Sequence, residues 1–402
     1  MVWSKSLRII VLTGWPKDNA LATFNRILGF LKGFIKIGEE VEMLFINPVI
    51  KKMIIYSYLK GYNYSFTSLS NSQKIGFIKM IYLYLKGYFK LIFYLYRTNK
   101  YTKIDVLFIP NVHPVIPILL RPIALSLNIK MIHERNEYPF YNIKKNIFRK
   151  IEYPLYMKVT LRCFDGMVVI SDELKRYFQS KMKKRIKIKV VPIIIEPERF
   201  NNNDSSIKID EDYITYCGYM WGDKDGIPIL IESFSKIVRK FKDLKLFLIG
   251  DTSNVVEYGK LKEKIKNLNI EKNVKFTGIV SRDDIPLYLN NAKMLVLSRP
   301  NNLQAKGGFP TKLGEYLATG KPVVVTDVGE ISNYLIDGYN AYIAQPDSID
   351  SFADKMEYVL KNSEKSKLVG EQGKHLAMED FNYIYQSERL VEFFDKVKIL
   401  NT

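Results

Sequence analysis

The chain has 402 residues, 47% hydrophobic and 26% charged, the composition of a folded protein with material for two cores. Lys and Arg number 61 against 42 Asp and Glu, a formal net charge of +19 that calls for an anionic partner. Its two cysteines, Cys163 and Cys217, stand far apart without metal spacing, which excludes a disulfide framework and points to a reducing compartment. The first apolar run, "LRIIVLTG" (7–14), fits a core strand and lacks the length and cleavage site of a signal peptide, so a cytoplasmic protein is expected. A helical run from about Asn19 to Ile37 and the strand "VEMLFIN" (41–47) follow.

From Lys51 to Ile104 there are ten Lys or Arg and no Asp or Glu, among many Tyr, Phe, Ile and Leu. The stretch "IGFIKMIYLYLKGYFKLIFYLYR" (75–97) is long enough to span a bilayer, but Lys79, Lys86 and Lys90 would each cost roughly 2.5–3.5 kcal/mol at its centre. A basic, aromatic, amphipathic segment is better suited to lie on an anionic membrane surface; the plainer alternative is a helix packed on the N-terminal sheet with its lysines in solvent.

Strand and helix patterns then alternate: "IDVLFIP" (104–110), a helix around 115–127, "IKMIHE" (129–134), a helix near 142–162, "GMVVIS" (166–171), a helix from Asp172, and "IKVVPI" (188–193). A polar stretch, "IEPERFNNNDSSIKIDED" (195–212), reads as a linker. The scheme repeats with "YITYCG" (213–218), a helix over 227–241, "LKLFLIG" (244–250), a helix to about Leu268, "VKFTG" (274–278), a short helix over 281–292, "MLVLS" (294–298), a further helix and "PVVVT" (322–326). Continuous apolar strands alternating with helices mean buried parallel sheets, and no repeat of solenoid period is present.

Ligands of such sheets bind at the carboxyl ends of the strands. The residues selected there are Gly14, His113 and the cluster "HERNE" (133–137) in the first half, and in the second Gly218 to Gly226, Gly250, Gly278 and Ser298 to Pro300. Lys224 lies in a glycine-bounded loop ahead of a helix, and Arg299 directly follows a strand; both are placed to meet an anion. In "GGFPTKLGEYLATGKPVVVT" (307–326), Pro310 and Thr311 mark a helix start and Gly320 its stop, so Gly307 to Thr311 reads as a phosphate cradle. Glu315, one turn in, would repel a phosphate unless it faces a hydrogen-bond donor such as a ribose diol; a solvated helix residue is the plain alternative. There is no P-loop, GxGxxG after the first strand, HExxH, Cys/His metal spacing or nucleophile elbow, and Asp283-Asp284 reads as a helix first turn.

The stretches "YCGYMWGDKDGIPILIESF", "VKFTGIVSRDDIPLYLNNAKMLVLSRP" and the segment from Gly307 to Pro346 together resemble the donor domain of family-four (group 1) retaining glycosyltransferases of bacterial polysaccharide and capsule synthesis. The resemblance covers roughly residues 190–375. It implies an α/β GT-B fold, two Rossmann-like doubly wound domains facing across a cleft. The expected division is an acceptor-binding domain over 1–200 including the basic segment 51–104, a donor-binding domain over 201–378, and a C-terminal helix over 379–402 packing back on the first domain. It also implies a nucleotide-sugar donor, no cofactor and no metal. His133 would reach the donor sugar, Lys224 the diphosphate and Glu315 the ribose. Gly14, Gly218, Gly308, Phe309, Pro310, Thr311 and Lys312 would complete the donor site. Apart from the resemblance, the positions of Arg299 and Lys312 make either a candidate second cation, and Lys224, Arg299 and the helix N-terminus are expected to stabilise the leaving diphosphate.

Two positions depart from the family pattern: Gly307 stands where a second glutamate is common, and Tyr219 where an arginine is common. The expected activity is sugar transfer with retention onto a saccharide, for instance a lipid-linked one, by a protein peripheral on the inner face of the membrane. A non-catalytic nucleotide-sugar-binding subunit, a GT-B epimerase and a basic nucleic-acid-binding protein are the rivals; the last lacks a recognition motif, and nucleic acid is not an expected partner.

Overall fold

The computed structural model describes residues 6–14, 21–46, 49–50, 64–66, 69–70, 76–110, 112–139, 147–182, 186–200, 209–221 and 224–399. It divides the chain into two α/β units, one of Met1–Pro192 with Tyr383–Thr402, the other of Ile193–Asn382.

In the first unit the order is β1 (Arg8–Thr13), α1 (Leu21–Lys36), β2 (Glu40–Phe45), β3 (Val49–Ile50), β4 (Tyr64–Phe66), β5 (Leu69–Ser70), α2 (Phe77–Tyr101), β6 (Val106–Ile109) and α3 (Val115–Ser126). Then come β7 (Lys130–Arg135), α4 (Ile147–Lys158), β8 (Gly166–Val169), α5 (Asp172–Gln179) and β9 (Lys187–Val190). Seven parallel strands run β4-β2-β1-β6-β7-β8-β9, and β3 pairs with β5 separately. Unbroken apolar runs such as "VLFI" in β6 are buried throughout, because helices cover both faces of a parallel sheet.

The second unit continues with β10 (Tyr213–Cys217), α6 (Ile227–Val238), β11 (Lys245–Ile249), α7 (Val255–Asn267), β12 (Val274–Gly278), α8 (Ile285–Asn291) and β13 (Met294–Leu297). It ends with α9 (Leu303–Gly307), α10 (Thr311–Ala318), β14 (Val323–Thr326), α11 (Ile331–Tyr334), β15 (Tyr342–Ala344), α12 (Ile349–Lys361) and α13 (Ser363–Glu379). Its six parallel strands run β12-β11-β10-β13-β14-β15. The last helix, α14 (Tyr383–Ile399), belongs to the first unit, where Phe394 packs 5.9 Å from Phe34 and 5.6 Å from Phe108 between ring centroids.

Several elements differ from the sequence reading. The basic segment is not helix alone: β4 within it pairs with β2 and forms an edge of the sheet, while 51–63, 67–68 and 71–75 lie outside the described residues. The helix expected near 142–162 is α4 followed by a short 3-10 turn at Thr160–Cys163, with 140–146 outside the described residues. The start of the expected linker is folded: Ile195 N donates to Phe381 O at 2.8 Å, and Pro197 and Phe200 are buried in a 3-10 turn. Its residues 201–208 lie outside the described set. No helix among the described residues is long and apolar enough to cross a membrane.

Candidate active site

Neighbouring strands β10 and β13 are where the second sheet changes direction: the chain leaves β10 toward β11 on one side and β13 toward β14 on the other. A crevice opens at the carboxyl ends of strands at such a switch point, and the polar groups that follow them are available to a ligand. Here these are Gly218, the loop to Gly226, and Ser298-Arg299.

The loop after β10 turns on Gly226, whose φ of +65° is left-handed and whose Cβ, if present, would lie 2.0 Å from the Ser298 carbonyl oxygen. Only glycine fits. Ser298 Oγ donates to Gly226 O at 2.9 Å, which ties the end of β13 to this turn and fixes Asp225 inside the crevice, 4% exposed. Asp225 Oδ2 accepts from Lys312 Nζ at 2.6 Å, and its Oδ1 lies 3.6 Å from Arg299 Nε. The Tyr216 hydroxyl is 2.7 Å from both Asp225 Oδ2 and Tyr219 O, with one proton to give, and accepts from Lys312 Nζ at 2.7 Å.

Burial and neighbouring charge pull on these groups in opposite senses. Burial pushes the Asp225 carboxyl up, but Lys312 and Arg299 outweigh it and hold it below the usual range. Burial draws Lys312 down, opposed by Asp225. Burial, and then Asp225, raise the Tyr216 phenol, which stays a neutral donor. Lys224, half-buried and adjacent in sequence, adds its charge to those acting on Lys312. Two basic side chains, Arg299 and Lys312, thus flank one carboxylate, and Lys224 lies close enough to act on Lys312, so basic groups outnumber the acid at this strand end.

Gly218 leaves room for this cluster, because a Cβ there would sit 2.0 Å from Lys312 Nζ. Arg299 is 2% exposed, and its Nη1 donates to Gly308 O at 3.4 Å, so it braces the loop and Asp225 from inside the wall instead of opening onto the crevice. The expected cradle Gly307 to Thr311 is shorter than its sequence suggests: Gly307 closes α9, and only Gly308 to Pro310 are extended before α10 begins at Thr311. Asn302 caps α9 by accepting from Ala305 N at 2.8 Å, and that polar cap makes the turn helical. Pro310 occupies the N-cap of α10 with no side-chain cap of its own, which leaves backbone N–H groups at that end. The Phe309 side chain turns into the core, stacked 5.1 Å from Tyr334 and edge-on to Phe381 at 5.6 Å, so it anchors the loop.

Glu315 sits on α10 beyond Lys312, its side chain 27% exposed. Its Oε1 accepts from Arg199 Nη1 at 2.7 Å, and Arg199 Nη2 donates to Arg282 O at 2.8 Å. Arg282 Nη2 in turn donates to Glu196 Oε1 at 2.6 Å. The carboxylate is therefore oriented by a network and is not a loosely solvated helix residue.

In the first unit Gly14 follows β1, with residues 15–20 outside the described set. His133 does not end its strand: it is the fourth of six residues of β7 and 3% exposed. Its Nδ1 is 2.8 Å from Ile109 O, its Nε2 2.9 Å from the Tyr156 hydroxyl, and its ring stacks on Phe164 at 4.6 Å. Burial drives its pKa down from 6.5 to about 3, so the ring is neutral with both nitrogens engaged inside the unit. Glu134 is likewise internal, bound to Arg26 Nε at 2.6 Å. The strand's actual carboxyl end carries Arg135 and Asn136, whose Nε and Oδ1 have no hydrogen-bond partner. His113 is exposed and pairs with Glu152 at 3.1 Å.

Asp225, Tyr216 and Arg199 were not singled out from the sequence. An acid directly before a glycine at a helix start was a readable sign for Asp225. Arg199 lay in text that read as linker and carried no sign.

Fold and crevice together define a class, a protein of two parallel α/β units with the GT-B fold and basic side chains gathered at the switch point of the second. Residues 199–376 match the family model of glycosyl transferases group 1. It is 30% identical over 155 residues to an uncharacterized glycosyltransferase of Methanocaldococcus jannaschii, 38% of this chain and 39% of that one. It is 29% identical over 168 residues to N-acetyl-alpha-D-glucosaminyl L-malate synthase of Bacillus anthracis, 42% of this chain and 40% of that one. The matches thus span about two fifths of the length of these curated relatives. Over 97% of its length the chain superposes on all of Anabaena HepE in complex with UDP, with a TM-score of 0.74 at 13% identity, a likeness of fold.

Proposed function

We propose that this chain is a retaining glycosyltransferase that moves a sugar from a nucleotide-sugar donor to a saccharide acceptor, in the synthesis of cell-surface polysaccharide. The observation that carries the reading is the cation cluster at the β10–β13 switch point, Lys312 and Arg299 set around buried Asp225 with Lys224 beside them. The family match of this unit and the UDP bound to the structurally similar HepE support a nucleoside diphosphate as the anion.

In the reaction, the bond from the anomeric carbon to the diphosphate oxygen breaks and the acceptor oxygen bonds to that carbon on the same face. No carboxylate of the crevice is placed as a nucleophile: Asp225 is held by two cations and Glu315 by Arg199. The leaving diphosphate takes the acceptor's proton. Lys224 pairs with the diphosphate, and Lys312, held by Asp225, stabilises the charge that develops on it. Arg299 acts at one remove by bracing Gly308. The backbone of Gly308 to Thr311 and Gly218 lines the sugar-diphosphate. Glu315, oriented by Arg199, uses its remaining acceptor capacity on the ribose diol. His133 serves the core and orients Tyr156, and Gly14 lies within the acceptor-binding unit at the carboxyl end of β1. The acceptor is a lipid-linked saccharide, and the protein works at the inner face of the cell membrane.

The test is a thermal-shift panel of UDP-, GDP-, ADP- and CMP-sugars, with Glu315→Ala beside the wild type, followed by a transfer assay with the nucleotide that shifts. One class should stabilise the wild type and not the variant, and Lys224→Ala should lower turnover at least tenfold while staying folded. Absence of a shift with every nucleotide sinks the reading. Gly307 and Tyr219, where the family often carries charge, favour a second reading, a subunit that binds the donor and turns nothing over. Tight binding without transfer to any acceptor would select it.

A further inference from the structure

The helix α2 leaves an unusual surface. Leu83, Leu91 and Leu95 are buried, and Leu91 and Leu95 belong to the core of the first unit. Hydrogen bonds from Tyr88 OH to Leu119 O and between Tyr96 OH and Ser126 Oγ seat the helix beside α3. The opposite face is also apolar and lies in solvent: Ile78, Ile81, Tyr82, Leu85, Phe89, Phe93 and Tyr96 are exposed, Phe89 and Phe93 by 66% and 68%. Their spacing of three or four residues draws one continuous ridge along the helix. Leu119 and Leu125 of α3 are exposed as well and widen the patch.

Charge borders this ridge on one side. Lys79, Lys86, Lys90 and Arg97, all exposed, each follow a ridge residue by one position, a rotation of about 100° around the helix. Residues 76–104 contain no Asp or Glu. A stripe of cations beside an apolar ridge of aromatic and aliphatic side chains is the pattern of a helix lying in the plane of a bilayer, with the ridge below the headgroups and the ammonium groups among the lipid phosphates. The same cations make crossing unfavourable.

We infer that α2 docks the first unit onto an anionic lipid bilayer, through insertion of Ile78, Tyr82, Leu85, Phe89 and Phe93 and contact of Lys79, Lys86, Lys90 and Arg97 with lipid phosphates. The inference fits the proposed lipid-linked acceptor but stands on α2 alone. A second copy of the chain is the competing occupant of an apolar ridge, yet two such faces would bring eight cations together with no acid from either helix.

The experiment is flotation of the full chain with phosphatidylcholine vesicles, with and without phosphatidylglycerol, in low and high salt, without donor or acceptor. Binding is expected only with the anionic lipid, at least tenfold weaker in high salt. The pair Phe89→Ser with Phe93→Ser should abolish it without lowering the melting temperature, since both rings are exposed. Lys86→Gln with Lys90→Gln should weaken it and flatten its salt dependence. Failure to bind, equal binding to neutral vesicles, undiminished binding by the Phe pair, or a dimer that the Phe pair dissociates would each overturn the inference. The same variants are tested for the nucleotide-induced thermal shift; its retention separates loss of docking from failure of the proposed function.

Discussion

His133 allows a prediction whose size follows from its surroundings. Its ring is enclosed by Ile109, Tyr156 and Phe164, and burial holds its pKa near 3 against 6.5 for the free side chain. An unfolded chain takes up this proton as pH falls through 6.5, whereas the folded chain does not until about 3. Between those values the unfolded state holds more protons, so stability is full above the unfolded pKa and is lost as pH falls. From about pH 8 to about pH 5 the single group should remove about 2 kcal/mol from the first unit. His133→Gln keeps hydrogen-bonding capacity and removes the titration. The assay is hydrogen exchange of peptides from β7 in moderate urea, corrected for intrinsic rates, for both proteins across this range. The wild type should lose stability more steeply, by the stated amount. Parallel profiles would refute the argument and put the ring in contact with solvent or a ligand. A transfer-rate profile should also show no ionisation traceable to His133 in this range, since the ring stays neutral.

Asp225→Asn removes the carboxylate shared by Lys312 and Arg299 without changing its shape, and leaving buried cations unpaired should cost roughly 3–5 kcal/mol, read as a lower melting temperature of the second unit. A nucleoside diphosphate should then raise the melting temperature more in the variant than in the wild type; an equal rise would mean that the anion does not bind at this cluster. Glu315→Gln should weaken nucleotide binding roughly ten- to hundredfold, the worth of about 1.5–3 kcal/mol for hydrogen bonds to a charged group. Arg199→Ala should weaken binding less, and the double variant should fall short of the summed losses because Arg199 acts through Glu315; full additivity in calorimetry would separate the two residues.

The sequence alone determined the alternation of strands and helices, because unbroken apolar runs such as "MLVLS" leave few options but a buried parallel strand. It also determined where the second unit would collect charge, since Lys224, Arg299 and Lys312 all fall at strand ends or helix starts. It made the amphipathic character of 75–97 plain, through a local 3.6-residue period. Tertiary structure decided the rest. Whether a polar residue at such a position meets solvent or a partner depends on residues far away in the chain: Lys312 and Asp225 pair across 87 positions and Glu315 and Arg199 across 116. Arg199 looked like linker because its neighbours are polar, yet burial of Pro197 and Phe200 folds that turn beside α10. His133 looked like a strand-end ligand because periodicity does not say where a strand stops. The two further residues of β7 and the ring of Phe164 place it in the core, where desolvation decides its charge.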